Sequence, residues 1–176
     1  IAINDMVTHP VTADIYISVS RIGNFESAPA IMKISQDAKI ELVDLAKVAF
    51  QKQALTNCPA KVATFRPRGL GKGEPLVRDL AKGNIKLTSL AIMDMEYHEG
   101  ELFVSGVATD NFLSTLRRMP FPFTDKQSAA NIEMYHISHN QYETRAPIRA
   151  MSIQKIDGKS QLVAAYTCSP IVLIDL

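Results

Sequence analysis

Residues 91–98 of the chain read AIMDMEYH, and residues 2–9 read AINDMVTH. The two stretches are identical at five of eight positions. Each is followed by turn-forming residues and then by a second apolar-rich stretch, DIYIS at residues 14–18 and ELFVS at residues 101–105. A strand, a short turn and a second strand make a β-hairpin. The sequence therefore predicts the same hairpin twice.

A third and weaker copy begins at residues 148–151, which read IRAM. It continues through an Asp157-Gly158 turn, a strong hairpin signal, to the apolar-rich residues 161–166. The aspartate that the first two copies share is Ala150 in this copy. The chain thus predicts three related hairpins, the third of which lacks one acidic side chain.

A second hairpin is predicted after each of the first two. Its strands are residues 30–34 and 39–43 in the first case, and residues 131–137 and 141–145 in the second. Residues 170–174 would begin the same hairpin in the third copy. Groups of four short antiparallel strands along one chain are typical of the blades of a β-propeller. The predicted fold class is therefore all-β, with four antiparallel strands in each blade.

Two segments do not fit the strand pattern. Residues 44–55 have apolar side chains at helical spacing behind a capping Asp44, which predicts a short helix. Residues 60–86 are rich in glycine and proline and form a predicted long loop. This loop includes GLGKG at residues 69–73, whose spacing is not that of a phosphate-binding loop. A second insertion, residues 106–130, begins with a predicted short helix near residues 110–117.

The pattern resembles that of bacterial seven-bladed β-propeller proteins of the YVTN/NHL-like type. The resemblance rests on residues 3–6 with His9-Pro10, on residues 92–95, and on the strands around them, about two-thirds of the chain. The chain departs from better-defined propeller classes because it has no tryptophan and no Tyr-Val-Thr-Asn string. The resemblance implies a propeller fold and very little about function, since propellers include enzymes, scaffolds and receptors.

The predicted organisation is part of a single propeller domain of about two and a half blades. Its first and last residues lie in predicted strands, and the smallest ordinary propeller has about four blades. We therefore expect that the remaining blades belong to a longer chain, and that the isolated chain is not a stable monomer. The segments are blade one at residues 1–45, an inserted helix and loop at 46–89, blade two at 90–147 and a half blade at 148–176.

Composition excludes several classes of protein. With 47% hydrophobic and 21% charged residues, the chain of 176 residues is not intrinsically disordered. Nineteen basic residues against 18 acidic ones give no argument for nucleic acid. No apolar run reaches the roughly 18 residues that a membrane helix needs. Two cysteines exclude a disulfide-dense miniprotein, and the propeller resemblance favours a periplasmic or extracellular location.

Antiparallel strands decide which loops of a propeller share a side. The short turns within hairpins fall on one side, and the long connections between hairpins fall on the other. Ligand sites are usually built from loops held by a rigid scaffold, so we expect a site on the long-loop side. That side would hold Arg21, Asn24, Arg117, Arg118, Phe121, Phe123, Thr167 and Cys168, opposite His9, His98 and Asp157.

The densest polar and aromatic cluster is Arg117, Arg118, Phe121 and Phe123. Paired arginines bind carboxylates, and exposed phenylalanines form contact surfaces. We therefore predict that this cluster, together with Arg21 and Cys168, binds a protein partner or a small anionic ligand. The alternative is that the phenylalanines pack the insertion onto the blades while the arginines are solvated.

Asp5 and Asp94 lie on the innermost predicted strands, where a ring of carboxylates would suit calcium. The alternative is that each aspartate accepts hydrogen bonds between neighbouring blades. His9 and His98 sit beside turns, where we expect them to bond the local backbone rather than a metal. Cys58 and Cys168 lie in loops of different blades, so we expect free thiols.

The sequence favours a non-catalytic binding module. Nothing in it identifies a catalytic pair or a cofactor. One alternative is a metal- or quinone-dependent hydrolase or oxidoreductase with its site at the propeller channel, near Asp5 and Asp94. Another is a structural subunit of a larger assembly.

Overall fold

The computed structural model describes residues 2–20, 30–60, 64–65, 85–109, 114–131, 134–143, 146–167 and 171–176. The predicted site residues Arg21 and Cys168, together with Asn24 and the loop at residues 69–73, lie outside the described residues. Strands dominate the described part of the chain, which has no α-helix, so the predicted all-β class is confirmed. The chain divides into two compact units, Ile1–Phe50 and Gln51–Leu176.

The first unit is one antiparallel sheet with the strand order β1-β2-β3-β4. Successive strands pair with each other, as the sequence predicted for the first two hairpins. In β1 the pairing shifts by one residue between Ile3 and Asp5, which is a β-bulge at Asn4. The strands are β1 (Ala2–Thr8), β2 (Ile15–Ser20), β3 (Ala30–Ile34) and β4 (Ile40–Leu42).

An ion pair on the first sheet joins two of its hairpins. Asp14 is nearly buried just before β2, and its carboxylate lies 2.9 Å from the Lys33 ammonium on β3. Thr12 donates its hydroxyl to the same carboxylate at 2.9 Å. The hydrogen bond from Lys33, followed by that from Thr12, lowers the pKa of Asp14 below its ordinary value of 3.8. The same pair raises the pKa of Lys33.

The second unit contains eleven strands among its described residues. It also contains two short 3₁₀ helices, at Leu87–Leu90 and Ile137–His139. The strands are β5 (Thr64–Phe65), β6 (Ile85–Lys86), β7 (Asp94–His98), β8 (Glu101–Val107), β9 (Ser114–Pro120), β10 (Ser128–Asn131), β11 (Met134–His136), β12 (Gln141–Glu143), β13 (Ile148–Ile156), β14 (Lys159–Tyr166) and β15 (Ile171–Asp175).

Two sheets dominate the second unit. A central sheet has the order β10-β9-β8-β7, and a second sheet has the order β13-β14-β15; both are antiparallel. In β13 the pairing shifts between Ile148 and Ala150, a bulge at Arg149. The remaining strands form two hairpins, β5-β6 and β11-β12.

The structure corrects the strands expected for the second blade. Residues 131–137 and 141–145 were predicted to complete its sheet, but within these segments Met134–His136 and Gln141–Glu143 form the separate hairpin β11-β12, and only Asn131 belongs to the central sheet. The central sheet is instead completed by β9 and β10, which lie within the predicted insertion at residues 106–130 except for the last residue of β10, Asn131. The helix predicted near residues 110–117 is wrong in its described part, because residues 114–117 belong to β9. Both faces of β9 are buried over residues 114–117, so its apolar side chains do not alternate as in a half-exposed strand.

The helix predicted over residues 44–55 is also wrong. Asp44 begins a single turn, in which its backbone oxygen accepts from Lys47 N and its carboxylate accepts from Ala46 N. The side chains that would form the apolar face of a helix, Leu45 and Val48, are exposed. A short helix in water needs a packing surface for its apolar face, and this segment does not bury one.

The core of the second unit lies between its two sheets. Phe103 and Leu116 of the central sheet contact Ile148, Leu162 and Tyr166 of the second sheet. The opposite face of the central sheet is covered at Gly106, where an added Cβ atom would lie 2.2 Å from the Ala91 carbonyl oxygen. Gly106 is therefore required by the close approach of another backbone segment.

Two carboxylates join these sheets directly. Asp94 on β7 accepts the backbone N–H of Met151 on β13 at 2.6 Å, and Glu96 accepts that of Ile153 at 3.2 Å. β13 is the edge strand of its sheet, so these amides have no strand partner on that side. Acidic side chains of β7 thus satisfy the edge amides of β13.

Replacing Asp94 with alanine is expected to lower the free energy of unfolding of the second unit by about 1–2 kcal/mol, because a charge-assisted bond to a partly buried amide is lost. Asp94→Asn should lose less, since its amide oxygen still accepts. Asp5→Ala is the matched control, since among the described residues Asp5 accepts a hydrogen bond only from the neighbouring Met6 N–H. Urea unfolding followed by NMR of β13 amides measures the effect. Equal losses for Asp94→Ala and Asp5→Ala would contradict it.

Acid is expected to weaken the first sheet through Asp14. A carboxyl whose pKa is lowered on folding contributes stability above its ordinary pKa, here 3.8, and loses it as the pH falls through the folded-state value. NMR signals of β2 and β3 in an acid titration should report this loss. The Asp14→Asn variant should be less stable at neutral pH and should lack this part of the acid dependence. The same acid profile in both proteins would refute the role of Asp14.

Candidate functional site

A cleft opens where the core between the two sheets of the second unit ends. It has a volume of about 520 Å³ and lies at the turn end, the end of the sheets that carries the β7–β8 and β13–β14 turns. Along β8, β9 and β14 the buried side chains give way to polar ones toward this end. The lining residues are His98, Glu99, Glu101, Phe103, Arg118, Lys159, Ser160, Asp175 and Leu176.

Arg118 forms one wall of the cleft and is held by two contacts. Its guanidinium is ion-paired with the Glu101 carboxylate and lies 5.1 Å from the centre of the Phe103 ring. The three residues are close because Arg118 pairs with Phe103 across β8 and β9, and Glu101 is two residues away on the same face. This arrangement fixes a planar cation above an aromatic surface.

His98 and Ser160 join the sheets at the base of the cleft. The His98 Nε2 atom lies 3.2 Å from the Ser160 hydroxyl, and 3.8 Å from the Glu99 carboxylate. The hydroxyl therefore donates to Nε2 or accepts from it, depending on which ring nitrogen carries the proton. The contact joins the end of β7 to the start of β14.

Lys159 lies at the rim of the cleft, directly after the Asp157-Gly158 turn. Both turn residues have positive φ angles, 50° and 81°. Within the described part of the chain, the Lys159 ammonium has no ion-pair or hydrogen-bond partner. Asp175, also at the rim, accepts a hydrogen bond from the Gln161 amide at 2.6 Å. Since Arg118 is ion-paired with Glu101, Lys159 is the cation of the cleft that has no ion-pair partner among the described residues, and the Glu99 and Asp175 carboxylates line the same cleft.

Arg117 does not lie on the surface where the sequence placed it. Its side chain is on the opposite face of β9 from that of Arg118 and is fully buried, 0% exposed. The guanidinium donates to three backbone oxygens, those of Thr56, Ala91 and Val107, at 3.1–3.3 Å. Burial lowers the pKa of Arg117 below its ordinary value. Arg117 thus ties two backbone segments to the central sheet and has no free donor face for a ligand.

Phe121 and Phe123 lie at the turn end, so the expected separation of Phe121 and Phe123 from His98 is wrong. Phe121 N donates to the Gly100 oxygen at 2.8 Å, and its ring meets the Tyr97 ring edge-on at 6.0 Å. The Phe123 ring is 5.2 Å from that of Phe121. The sequence predicted these residues in a loop after β8, whereas β9 intervenes and returns the chain to the turn end. Thr167 lies at the far end of β14 from Asp157, as expected.

The candidate metal ligands have other contacts. Both Asp94 oxygens accept backbone hydrogen bonds, from Met95 at 2.9 Å and from Met151 at 2.6 Å, which is the alternative predicted for this residue. Among the described residues, no group of three His, Cys, Asp or Glu side chains is arranged to bind a metal ion. His9 accepts from the backbone N–H groups of Val11 and Thr12 within its own turn, as predicted.

Cys58 is an exposed free thiol. Its Sγ atom lies 3.5 Å from the Leu55 oxygen.

Comparison with models of protein families, with curated proteins and with solved structures finds no match to this chain. Within the described residues no helix has the length and apolar character needed to span a membrane.

Sequence reasoning singled out Arg118 and His98 among the residues of the cleft but not Glu101, Phe103, Lys159 or Asp175. A signal was present in the repeated hairpins. Glu101 and Lys159 each follow directly on a glycine turn, at Gly100 and Gly158. Equivalent hairpins place such residues at equivalent ends of neighbouring sheets.

The two neighbouring arginines are expected to respond in opposite ways to replacement by alanine. Arg117→Ala removes a hydrogen-bond donor from three backbone carbonyls and should cost about 3 kcal/mol or more in the free energy of unfolding. Arg118→Ala removes a partly exposed ion pair and should cost about 1 kcal/mol or less. Urea denaturation of both variants measures the difference. Equal stability of the two variants would contradict the role of Arg117 in joining two backbone segments to the central sheet.

Proposed function

We propose that the protein is a non-catalytic binding module whose sheets are blades of a β-propeller, and that it binds an acidic segment of a partner protein in the cleft at the turn end. The repeat is supported by the bulges of β1 and β13, which fall at corresponding positions, Asn4 and Arg149, just before Asp5 and Ala150. Export to the periplasm or the cell exterior is part of the same proposal.

The observation that supports this function best is the Arg118 guanidinium, which is held in place above the Phe103 ring. Arg118 is held by Glu101 and by the Phe103 ring, so little side-chain freedom is lost when a ligand approaches. Lys159 stands at the same cleft with no partner of its own among the described residues. Both cations line the cleft, so a carboxylate that enters it meets positive charge on two sides.

The other charged residues of the cleft restrict the class of ligand that can bind there. Glu99 and Asp175 line the same cleft, so an ion with negative charge alone meets repulsion. A peptide that carries an acidic side chain also has backbone N–H groups, and these can donate hydrogen bonds to the Glu99 and Asp175 carboxylates. The cleft therefore suits a glutamate or aspartate within a polypeptide better than an isolated anion.

A hydrolase is a second candidate because of one contact. The Ser160 hydroxyl and His98 Nε2 are 3.2 Å apart in an open cleft, within reach of proton transfer. No described group orients the other ring nitrogen of His98, which favours the binding role. Nothing in the described geometry favours the metal or quinone alternative, and the third candidate, a structural subunit, would use the same surfaces.

Binding is tested with a short alanine-based peptide that carries one central glutamate, and with the same peptide carrying glutamine. The glutamate peptide should shift the NMR amide signals of Glu101, Lys159 and Ser160, and the glutamine peptide should not. Arg118→Ala and Lys159→Ala should each weaken binding roughly tenfold, the loss of one charge-assisted bond. Lys155→Ala, on β13 and outside the cleft, is the matched control. Equal shifts with both peptides would reject a carboxylate site.

A fluorophosphonate probe, which labels activated serines, distinguishes a hydrolase from a binding module. If the cleft only binds, mass spectrometry should find no adduct on Ser160. A stoichiometric adduct that disappears in the His98→Gln variant, with the fold intact, would replace the binding proposal by the hydrolase.

A further inference from the structure

The turn between β13 and β14 contains the only Asp-Gly sequence of the chain, Asp157-Gly158, and the chain has no Asn-Gly sequence. We propose that this turn is a site of spontaneous backbone isomerisation, at which Asp157 cyclises onto the Gly158 nitrogen and reopens as isoaspartate. The longer backbone no longer fits the hairpin, so the reaction alters the wall of the cleft that β14 contributes.

The turn is short and open to solvent. Ile156 pairs with Lys159 across it, and Asp157 and Gly158 have φ angles of 50° and 81°, as in a type I′ turn. Both residues are exposed. Apart from those of its chain neighbours, no atom lies within 4 Å of the position that a Cβ atom on Gly158 would occupy. Water therefore reaches this turn while the sheet is intact.

Both reacting groups of the turn are free. Among the described residues, neither the Asp157 carboxyl group nor the Gly158 N–H has a hydrogen-bond or ion-pair partner. Gly158 has no side chain to shield its nitrogen, and it adopts many backbone angles at little cost. The nitrogen that attacks and the carbon that is attacked are thus adjacent in the chain and unhindered.

An exposed turn of the first unit has the opposite arrangement. There the Ala38 N–H donates to the Ser35 oxygen at 2.8 Å, and the Ser35 hydroxyl donates to the Asp37 carboxylate at 2.5 Å. The hydrogen bond from Ser35 lowers the pKa of Asp37 and keeps its carboxyl group ionised. An ionised carboxyl group resists attack by an amide nitrogen. The chain therefore offers a matched turn in which we expect no reaction.

The reaction needs only water and the groups already present. The Gly158 nitrogen attacks Cγ of the protonated Asp157 carboxyl group. The N–Cγ bond forms, the Cγ–OH bond breaks, and the amide proton leaves with the hydroxyl as water, which gives a succinimide ring. Water then adds to either ring carbonyl. Cleavage between the nitrogen and the Asp157 backbone carbonyl carbon gives isoaspartate, and cleavage of the N–Cγ bond restores aspartate.

Isoaspartate lengthens the main chain by one methylene group and leaves the former backbone carboxylate as a side group. A two-residue turn cannot hold an extra backbone atom and keep the Ile156–Lys159 pair. Lys159 and Ser160 then shift relative to His98, whose Nε2 atom lies 3.2 Å from the Ser160 hydroxyl. A resulting loss of peptide binding rests on the proposed function, whereas the isomerisation does not.

The experiment incubates the full chain at physiological temperature and mildly acidic pH and follows both turns by peptide mass spectrometry. The peptide with Asp157 should appear first with the loss of one water molecule, and then as a second form of unchanged mass. Electron-transfer fragmentation and labelling by a protein isoaspartyl methyltransferase identify that form as isoaspartate. The peptide with Asp37 should show neither product. NMR of the same samples should show the Lys159 and Ser160 amides shifting as isoaspartate accumulates.

Three variants separate the turn from the dipeptide. Ala38→Gly creates the same Asp-Gly sequence where Ser35 holds the carboxylate and the amide, and isomerisation there should be roughly tenfold slower than at Asp157, the effect of about one hydrogen bond. Gly158→Asn tolerates the positive φ and adds a side chain beside the nitrogen, so most of the product should be lost. Asp157→Asn keeps the turn and should form the same ring faster, with ammonia as the leaving group.

Absence of isoaspartate at Asp157 would overturn the proposal, and so would equal rates at Asp157 and in the Ala38→Gly turn. Isoaspartate that leaves the Lys159 and Ser160 amide signals unchanged would overturn its effect on the hairpin. Failure of the glutamate peptide to bind the unmodified chain would reject the proposed function alone, because the mass spectrometric result does not depend on a ligand.

Discussion

The edge of β13 needs hydrogen-bond acceptors, and two acidic side chains of β7 provide them. An edge strand packed against another sheet cannot leave its amides unpaired, because an unsatisfied buried donor costs about 1–3 kcal/mol. Asp94 and Glu96 alternate on β7 with Met95 and therefore point to the same side, where they meet the amides of Met151 and Ile153. This register fixes how the second sheet lies on the central one. The apolar contacts of Phe103 and Leu116 with Ile148 and Leu162 then follow from it.

The cleft is a consequence of the same register. The two sheets are joined at β7 and β13, and the apolar side chains between them end before the strands do. Beyond Phe103 and Leu162, the inward positions are Glu101, Arg118 and Ser160, which cannot close a dry core. Arg118 is stabilised there by Glu101 and by the Phe103 ring, and His98 bonds Ser160 across the gap. A polar cavity thus forms at the end of the core, lined by the Arg118–Glu101 ion pair of the central sheet and by the His98–Ser160 contact that joins the two sheets.

The sequence was sufficient for the hairpins and insufficient for their assembly. β1, β2, β7, β8, β13 and β14 were predicted because strand, turn and strand are local signals, and the Asp157-Gly158 turn is among the clearest of them. β9 was missed because both of its faces are buried, so Ser114, Leu116 and Met119 show no period of two. Because β9 was missed, the predicted direction of the chain after it was wrong. Phe121 and Phe123 were assigned to the wrong end of the sheet, and Met134–His136 were assigned to the central sheet instead of to a separate hairpin. Hydrogen bonding by Asp94 was one of two alternatives that the sequence left open, and only the position of β13 decides between them.

Arg117 and Arg118 show why a cluster in sequence does not define a site. On a strand, neighbouring side chains point to opposite faces, so at most one of two consecutive arginines can face a given ligand. Which one does is decided by what covers each face. The face of Arg117 is covered by the backbone at Thr56 and Ala91, whose carbonyl oxygens a guanidinium can satisfy in the absence of water. The face of Arg118 meets the end of the second sheet, where the core is open. The arginine that lines the cleft is therefore selected by long-range packing, with residues 56 and 91 on one side and Ser160 on the other, and no local pattern around residues 117 and 118 contains that information.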